Sequence, residues 1–565
     1  MTVESPLPRA VAPARPDDSV RAVLRSPRLL TREALAGIVT TLALVPEVIS
    51  FSVIAGVDPM VSLVASVVLA VVMSLLGGRP AMVTAAAGSV ALVIAPLVQA
   101  HGVEYVLPTV LLAGVIQIVF GTAGLARLMR FIPRSVMIGF VNALGILIFV
   151  AQVPHLVDVP WIVYPLFALT IAIVVLLPRF TTVVPAPLVA IVVVTVIVVA
   201  AGLTDVHTVG DEGPMGGGLP GLTPWLVPFS PETLGIVLPT ALSVAFVGLM
   251  ETLLTAKLVD DITETPSHKG KESWALGVAN IAAGAYGGIA GCAMIGQTVV
   301  NVKIGRARTR VSTLAAGLFL LLLVTGLSSV MARIPMVALA AVMMVVAITT
   351  VDWHSVRPST LRRMPVPETL VMVVTVGVVV ATNNLAIGVA VGVLLAMVLF
   401  ARRIAHVIRV ERTVEPTAEP AAEPAAAVPD ADRSARPRAR VRYDVVGPLF
   451  FGSSNDLVEH FSYADDALLA ESSGVAGAHT HAESLEVTGV STTASPDGEE
   501  ARRTARPEAT VLVDLSRASV WDASSVAALD SVETKFAAHG LAVEFVGLDE
   551  RSGSFHGRLT GQLGG

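Results

Sequence analysis

The sequence predicts a polytopic α-helical membrane protein that ends in a small α/β domain, and three observations support this fold class. The chain has 565 residues, of which 54% are hydrophobic and only 15% are charged. Its mean hydropathy of +0.76 lies well above that of soluble domains. Apolar runs of about 20 residues, long enough to cross a hydrocarbon core as helices, recur as far as Phe400.

Fourteen membrane spans are predicted in a transmembrane domain over 31–408. The polar N-terminal tail over 1–30 lacks the apolar segment of a cleaved signal peptide. The spans are placed near 35–54, 61–76, 82–99, 106–126, 136–152, 161–177, 186–202, 234–259, 273–290, 293–302, 312–331, 336–351, 368–382 and 385–402.

Basic residues test this span count. Arg79, Arg179 and Arg357 each follow an even-numbered span, whereas the loops after odd-numbered spans carry almost no Lys or Arg, with Arg333 as the exception. This is the positive-inside pattern, and it places both termini in the cytoplasm. We therefore predict a multi-pass protein of the plasma membrane.

Fourteen spans divide into two halves of seven, and an odd number per half puts the halves in opposite orientation, as in many secondary transporters. The third span of each half is irregular. Span 3 contains the small-residue run "AAAGS" (85–89), and span 10, "GCAMIGQTVVNV" (291–302), is too short to cross alone. Broken helices in matched positions indicate a binding site at the membrane midplane. The alternative is that small residues only allow close helix packing.

A half-helix begins with unpaired N–H groups and a positive dipole end, which suit an anion. We therefore expect an anion between the two broken spans, bound mostly by backbone N–H groups. The predicted substrate-binding residues are Ala87, Gly88, Ser89, Val90, Ala293, Met294, Ile295 and Gly296.

Span 8 contains a carboxylate, Glu251, with the hydroxyl of Thr255 one turn further along the same helix face. A carboxylate in hydrocarbon is costly, so it is paired, hydrated or functional. Oxygen ligands suit Na⁺, as they suit other hard cations, and a buried carboxylate can instead carry a proton. Either ion at Glu251 would offset the charge of an arriving anion, and a structural hydrogen bond to a neighbouring helix is the third interpretation.

Span 1 contains a second carboxylate, Glu47. It either lines the cavity together with Ser50 and Phe51 or lies near a membrane interface.

After the last span, a Pro/Ala-rich linker is predicted over 409–440 and an α/β domain over 441–552, followed by a C-terminal tail over 553–565. Residues 463–508 are polar and rich in Ser and Thr, which predicts a disordered insertion. Within "WDASSVAAL", Ser524 is a candidate regulatory site; the alternative, which is favoured, is a helix N-cap formed by Asp522 or Ser524.

Several motifs resemble the SulP family of inorganic-anion transporters, the sulfate permease or solute carrier 26 type. They are "LALVPEVISFSVIAGVDP", "GGRPAMVTAAAGSVALV", "METLLTAKLVDD", "GVANIAAGAYGGIAGCAMIGQTVVNV" and "VATNNLAIGVAVGVLLA", and they occur in the expected order. The tail resembles the STAS domain that ends these transporters, in which Ser524 takes the position phosphorylated in anti-sigma-factor antagonists. The resemblance extends from about Thr31 to Asp549.

This resemblance implies a core domain of spans 1–4 and 8–11 that moves against a gate domain of spans 5–7 and 12–14, in a homodimer. It also implies that Glu251 lies beside the substrate pocket, where bicarbonate transporters of the family bind Na⁺. Two residues depart from the pattern: several relatives have threonine at the position of Ala87, and glutamine is common at that of Glu47.

The predicted function is secondary active transport of a small anion (bicarbonate, sulfate or a dicarboxylate), coupled to Na⁺ or H⁺ through elevator-type alternating access. We expect no enzyme activity and no other cofactor; the expected partners are the anion, the lipid bilayer, a second copy of the chain and a cytoplasmic partner of the STAS domain, with no nucleic acid. The absence of a Walker A motif argues against an ATP-driven pump. Two alternatives stay open: a proton-coupled nucleobase permease of the same fold, and a STAS-regulated signalling protein.

Overall fold

The computed structural model describes residues 19–126, 132–181, 185–213, 221–405, 407–417, 438–472 and 510–560. The chain divides into two compact units, Met1–Ala396 and Met397–Gly565. The first consists of helices and one short strand pair, and the second of a four-stranded sheet with helices.

The helical unit contains, in chain order, α1 (Val20–Arg25), α2 (Pro27–Ala55), α3 (Pro59–Leu76), β1 (Thr84–Ala86), α4 (Gly88–His101), α5 (Val106–Thr122), α6 (Arg134–Gln152), α7 (Val163–Leu176), α8 (Ala186–Ala200), α9 (Pro231–Thr263), α10 (Lys269–Gly284), β2 (Gly291–Ala293), α11 (Ile295–Val299), α12 (Arg310–Gly326), α13 (Ser328–Met331), α14 (Met336–Thr350), α15 (Pro358–Leu361), α16 (Val366–Thr382) and α17 (Leu385–Ala405).

Each predicted span contains one main helix or one strand followed by a helix. Within the described residues, six helices are long and apolar enough to cross a membrane, namely α2, α3, α5, α6, α9 and α17. Six shorter apolar helices, α4, α7, α8, α12, α14 and α16, accompany them. The chain is therefore a polytopic helical membrane protein, and the count of fourteen crossings stays a prediction.

The predicted N-terminal tail ends too late. Residues 1–18 lie outside the described part of the chain, but α1 follows a Ser19 cap, and Pro27 opens α2. Proline suits the first helical turn because its missing N–H would have no partner there. Helix α2 therefore begins several residues before the predicted first span.

Glycines let several helices approach each other closely. A Cβ on Gly277 of α10 would lie 2.4 Å from the carbonyl oxygen of Gly114 in α5, and one on Gly145 of α6 would lie 2.8 Å from that of Ala347 in α14. The first contact joins two helices assigned to the core, and the second joins two assigned to the gate. The division of the helices into a core and a gate stays a prediction.

The second unit is a sheet in the order β3-β4-β5-β6, antiparallel between β3 and β4 and parallel elsewhere. Its elements are β3 (Arg409–Thr417), β4 (Arg438–Leu449), α18 (Ser454–Glu459), α19 (Tyr463–Ser472), β5 (Thr510–Val520), α20 (Ala523–Ala538), β6 (Ala542–Val546) and α21 (Glu550–Leu559). Its core includes Tyr443, Phe461 and Phe536.

Three predicted boundaries in this unit are wrong. Residues 409–417 and 438–440 form strand rather than linker; β3 lies at the sheet edge, where charged residues are tolerated, and its polar composition concealed it. Residues 463–472 form helix α19 rather than a disordered segment, and 473–508 lie outside the described residues. Helix α21 begins at Glu550, where Asp549 caps it by accepting from the N–H of Ser552. The helix ends at Leu559, so the domain continues past the predicted end at residue 552.

Candidate anion-binding site

The two irregular spans are both broken, as the sequence predicts. Strand β1 pairs antiparallel with β2, with Thr84 opposite Ala293 and Ala86 opposite Gly291. Helix α4 begins two residues after β1, and α11 begins two residues after β2 and continues into a π-helical turn over Val300–Ile304. Both helices therefore start inside the helical unit.

Side chains from neighbouring helices hold this strand pair in place. Asn280 of α10 accepts from the N–H of Gly291 at 2.7 Å and donates to its carbonyl at 3.2 Å. Thr252 of α9 accepts from the N–H of Ala293 at 3.0 Å, and Ser66 of α3 accepts from that of Ala86 at 3.1 Å. These bonds satisfy backbone groups that a buried strand edge would otherwise leave unpaired.

The start of each half-helix leaves N–H groups free. The carbonyls of Ala87 and Met294 accept the first intrahelical bonds, from Ala91 at 2.9 Å and Thr298 at 3.0 Å. Within the described residues no side chain caps either helix. The first-turn N–H groups, which begin with Gly88 in α4 and Ile295 in α11, have no intrahelical acceptor. These groups can therefore bind an anion.

Two of the N–H groups that were predicted to bind the anion already donate hydrogen bonds to other protein groups. The N–H of Met294 donates to the carbonyl of Val83 at 2.9 Å, and that of Ala293 donates to Thr252. Both residues lie on the strand side of the break, so their N–H groups hold the strand segment in place and are not free to bind an anion. The prediction of N–H donors at Ala293 and Met294 is therefore wrong.

A cavity of about 130 Å³ lies where the two helix starts meet. It is lined by Glu47, Phe51, Ala87, Gly88, Ser89, Phe140, Val141, Leu144, Ile148, Glu251, Met294, Ile295, Gly296, Gln297, Val346 and Thr350. Nine predicted site residues are thus brought together, and of the two alternatives for Glu47 the structure places it at the cavity. Val90, Ala293, Thr255 and Ser50 do not line it.

Those four residues have other contacts. Val90 is fully buried, and the hydroxyl of Ser50 donates to the carbonyl of Pro46 at 2.9 Å. The hydroxyl of Thr255 lies 2.8 Å from the carbonyl oxygen of Glu251 and 3.1 Å from that of Ala293, so it braces α9 against β2. Threonines in helices often make such bonds to their own backbone.

Glu251 is 8% exposed and lies beside the start of α4. The hydroxyl of Ser89 donates to its Oε2, and the thiol of Cys292 donates to the same oxygen at 3.1 Å. Sequence reasoning missed Cys292, because a lone cysteine in an apolar segment is ordinarily a small packing residue. The small-residue segment before α11 was the one signal that could have suggested it.

Glu47 is the second carboxylate of the cavity, and the side chain of Gln297 of α11 lines the same cavity. Sequence reasoning missed Gln297, although it follows the predicted residues Ile295 and Gly296 directly. No Lys, Arg or His is among the described residues that line the cavity. Its positive potential therefore comes from the helix starts.

The two glycines of the site have different surroundings. A Cβ on Gly88 would lie 2.5 Å from Cε1 of Phe51, so the aromatic ring packs directly on the backbone of α4. A Cβ on Gly296 would meet no atom within 4 Å. Gly296 therefore leaves open space at the start of α11.

In the α/β unit, Asp522 caps α20 by accepting from the N–H of Ser525 at 3.0 Å. It also accepts from the N–H of Phe451 at 2.7 Å. Ser524 is exposed in the first turn of α20. The structure thus assigns the cap to Asp522, and a regulatory role for Ser524 stays a prediction.

The apolar helices, the two broken segments and the cavity between them define a helical membrane transporter. The profile of the sulfate permease family matches residues 30–165 and 159–375. The chain belongs to this family, whose members are transporters rather than enzymes.

One relative and two solved structures illustrate the similarity. The chain is 43% identical over 525 residues to "Putative sulfate transporter YbaR" of Bacillus subtilis, covering 93% of this chain and 96% of the relative. The transmembrane domain of a cyanobacterium bicarbonate transporter, BicA, aligns with a TM-score of 0.56 and 25% identity, over 66% of this chain and 98% of that one. The murine anion transporter Slc26a9 in its inward-facing state aligns with a TM-score of 0.71 over 94% of this chain and 87% of that one; at 17% identity this shows the fold alone.

Proposed function

We propose that this protein is a secondary active transporter of a small anion, with bicarbonate, sulfate and dicarboxylates as the candidate substrates. The observation that carries the proposal is the cavity at which α4 and α11 begin, next to Glu251. Uncapped helix starts attract anions, and an anion has no cationic side chain to pair with among the described lining residues. The names of YbaR as a sulfate transporter and BicA as a bicarbonate transporter support the same substrate class.

Glu251 is proposed as the coupling residue. An ionised carboxylate next to an anion is repulsive, so a cation on Glu251 makes anion binding favourable. The contacts of this carboxylate favour H⁺ over Na⁺. Its Oε2 is occupied by the Ser89 hydroxyl and the Cys292 thiol, and a thiol is a poor ligand for a hard cation. The Thr255 hydroxyl, the predicted second Na⁺ ligand, is directed at backbone carbonyls.

The transport cycle is proposed to be an elevator movement, in which the core carries the site past the gate. The cavity is lined by α2, α4, α9 and α11 of the predicted core and by α6 and α14 of the predicted gate, so it lies where such a movement would open and close it. Assembly as a homodimer in the plasma membrane and a cytoplasmic STAS identity for the second unit, with a cytoplasmic partner, belong to the same proposal. The α/β topology of that unit supports the STAS assignment.

Uptake into proteoliposomes tests the proposal. The purified full-length chain is reconstituted, and labelled bicarbonate, sulfate and succinate are each offered with a pH gradient, with a Na⁺ gradient and with neither. Uptake of at least one anion above protein-free liposomes, accelerated by one gradient, is expected. Gradient-independent background for all three anions would overturn the proposal. Competition by uracil would instead indicate a nucleobase permease, the alternative that the family match disfavours.

A further inference from the structure

The cavity holds one more carboxylate than coupling through Glu251 requires. Glu47 lines it from α2, directly after Pro46, and Glu251 lines it from α9. Gln297, whose side chain ends in an amide, lines the same cavity and is 4% exposed. Glu47 therefore belongs to the wall of the proposed anion site and not to a membrane interface.

Charge balance shows why this second carboxylate matters. Each half-helix start supplies at most about half a positive charge, and together they supply at most about one. Two ionised carboxylates exceed that charge before any anion arrives. With one carboxylate neutralised the net charge of the site is at most about zero, and with both neutralised it is at most about +1. An anion, whether it carries one charge or two, therefore meets a positive site only when both carboxylates are neutral.

We propose that Glu47 is a second proton-binding residue of the transport cycle, so that each anion is carried together with two protons, one on Glu251 and one on Glu47. This inference rests on the proposed anion transport. Protonation forms an O–H bond on a Glu47 carboxylate oxygen, and the proton leaves to water when the site opens on the other side. No other reactant is needed.

Gln297 suits both states of Glu47. A primary amide offers N–H donors and a carbonyl acceptor. Its NH₂ group can donate to an ionised carboxylate, and its carbonyl can accept from a protonated one. An amide in the same cavity can therefore form a hydrogen bond with Glu47 whether or not Glu47 carries the proton, which is a property that a coupling group needs and a purely structural group does not.

Apart from Glu251, no ionisable side chain lines the cavity around Glu47 among the residues that the structure describes. Helices α3, α8 and α14, which pack against α2, contain no titratable side chain. Among the described lining residues, Glu251 is the sole other titratable group. The remaining charged or titratable residues of the packed or lining helices lie toward the ends of their elements and do not line the cavity. They are Arg21 and Arg25 in α1, Arg28, Arg32 and Glu33 in α2, His101 in α4, Arg134 in α6, Glu232, Lys257, Asp260 and Asp261 in α9, Lys303 in the π-helical turn and Arg310 in α12.

The number of protons moved per anion tests the inference. Proteoliposomes containing the full-length chain are held at zero membrane potential with a one-unit pH gradient, and the steady accumulation of labelled sulfate is measured, or of labelled succinate if the wild type takes up only that anion. With two protons per anion, one pH unit supports about 100-fold accumulation, and with one proton about tenfold. The wild type is expected near the first value and Glu47→Gln near the second.

Two controls keep the outcomes distinct. Glu47→Asp retains a carboxylate and is expected to keep the wild-type accumulation, which separates loss of the proton site from damage to the fold. Accumulation by Glu47→Gln equal to that of the wild type would overturn the inference and leave the proposed transport intact. Lack of any anion uptake by the wild type would overturn the proposed function itself.

Discussion

The hydroxyl of Ser89, in the first turn of α4, donates a hydrogen bond to the carboxylate of Glu251 in α9. The same residue that contributes a free N–H to the cavity thus also contacts the proposed coupling group. In the proposed transport cycle, the anion and the proton would therefore be linked through one turn of helix. An anion at the start of α4 and a proton on Glu251 would stabilise each other, because each reduces the charge that the other must face.

Replacement of Glu251 by glutamine separates coupling from binding. Glu251→Gln keeps the size of the side chain and makes it permanently neutral, so the site stays able to bind an anion but releases no proton from this position. If Glu47 carries the second proton, we expect the accumulation supported by one pH unit to fall from about 100-fold to about tenfold, while exchange of internal for external anion persists. Labelled-anion counterflow, measured beside gradient-driven uptake in the same proteoliposomes, checks this. Accumulation equal to that of the wild type would show that Glu251 does not couple transport.

The two cavity glycines form a matched pair of tests. Gly88→Ala places a methyl group 2.5 Å from the Phe51 ring, so Phe51 or α4 must move. Overpacking of this kind costs about 1–3 kcal/mol, and a fall of several degrees in the unfolding temperature in detergent is expected. Gly296→Ala meets no protein atom, so its unfolding temperature is expected to match that of the wild type.

Transport by the Gly296 variant completes that comparison. Its methyl group stands in the cavity at the start of α11, where the anion is proposed to bind, so anion uptake is expected to fall at least about tenfold, the effect of about 1.4 kcal/mol. Initial uptake rates over a range of anion concentrations measure this change. Wild-type uptake by Gly296→Ala would place the anion elsewhere.

Much of this site could be predicted from the sequence, because matched small-residue breaks and an intramembrane carboxylate are local signals. The sequence predicts that spans 3 and 10 are broken, and the family resemblance implies that Glu251 lies beside them. The sequence does not predict the pairing of β1 with β2, since that pairing joins residues far apart in the chain and each strand has only three residues. Cys292 and Gln297 were missed for the same reason: the contact of Cys292 with Glu251 and the place of Gln297 in the cavity wall depend on the fold, which no local pattern records.

Asn280 provides a test of how the strand pair is held. Its amide bonds both backbone groups of Gly291 and donates to Gln117 at 2.8 Å. Asn280→Ala leaves a buried N–H and a buried carbonyl unpaired, at about 1–3 kcal/mol for each unsatisfied group. We expect a marked fall in the unfolding temperature of the helical unit, which thermal unfolding in detergent measures.

Gln117→Leu is the matched control for Asn280. It removes a partner of Asn280 and leaves both bonds to Gly291 in place, so a smaller fall is expected. If the two variants were equally destabilised, the hydrogen bonds between Asn280 and Gly291 would not be what holds β2 in place.

The free energy of unfolding of the α/β unit is expected to depend on pH through two tyrosines, Tyr443 and Tyr463. Burial, together with its hydrogen bond to Asp466 at 2.6 Å, raises the pKa of Tyr443 from 10.0 to about 12, and burial raises that of Tyr463 from 10.0 to about 12. Because each folded-state pKa lies above the unfolded value, the stabilisation is complete below pH 10 and is lost as the pH rises to 12. Tyr443→Phe and Tyr463→Phe should each flatten part of this decline.

Denaturant unfolding of the full-length protein, followed between pH 9 and about 12 by the fluorescence of Trp521 in a variant whose other tryptophans are replaced, measures that slope. Tyr164→Phe, a tyrosine change in the helical unit, is the control and should leave the unfolding of the α/β unit as it was. Tyr443→Phe additionally removes a donor from the buried Asp466, so its stability at pH 9 should already be lower than that of Tyr463→Phe. An unchanged slope in both phenylalanine variants would mean that neither tyrosine ionises while the unit is folded, and that the alkaline decline has another source.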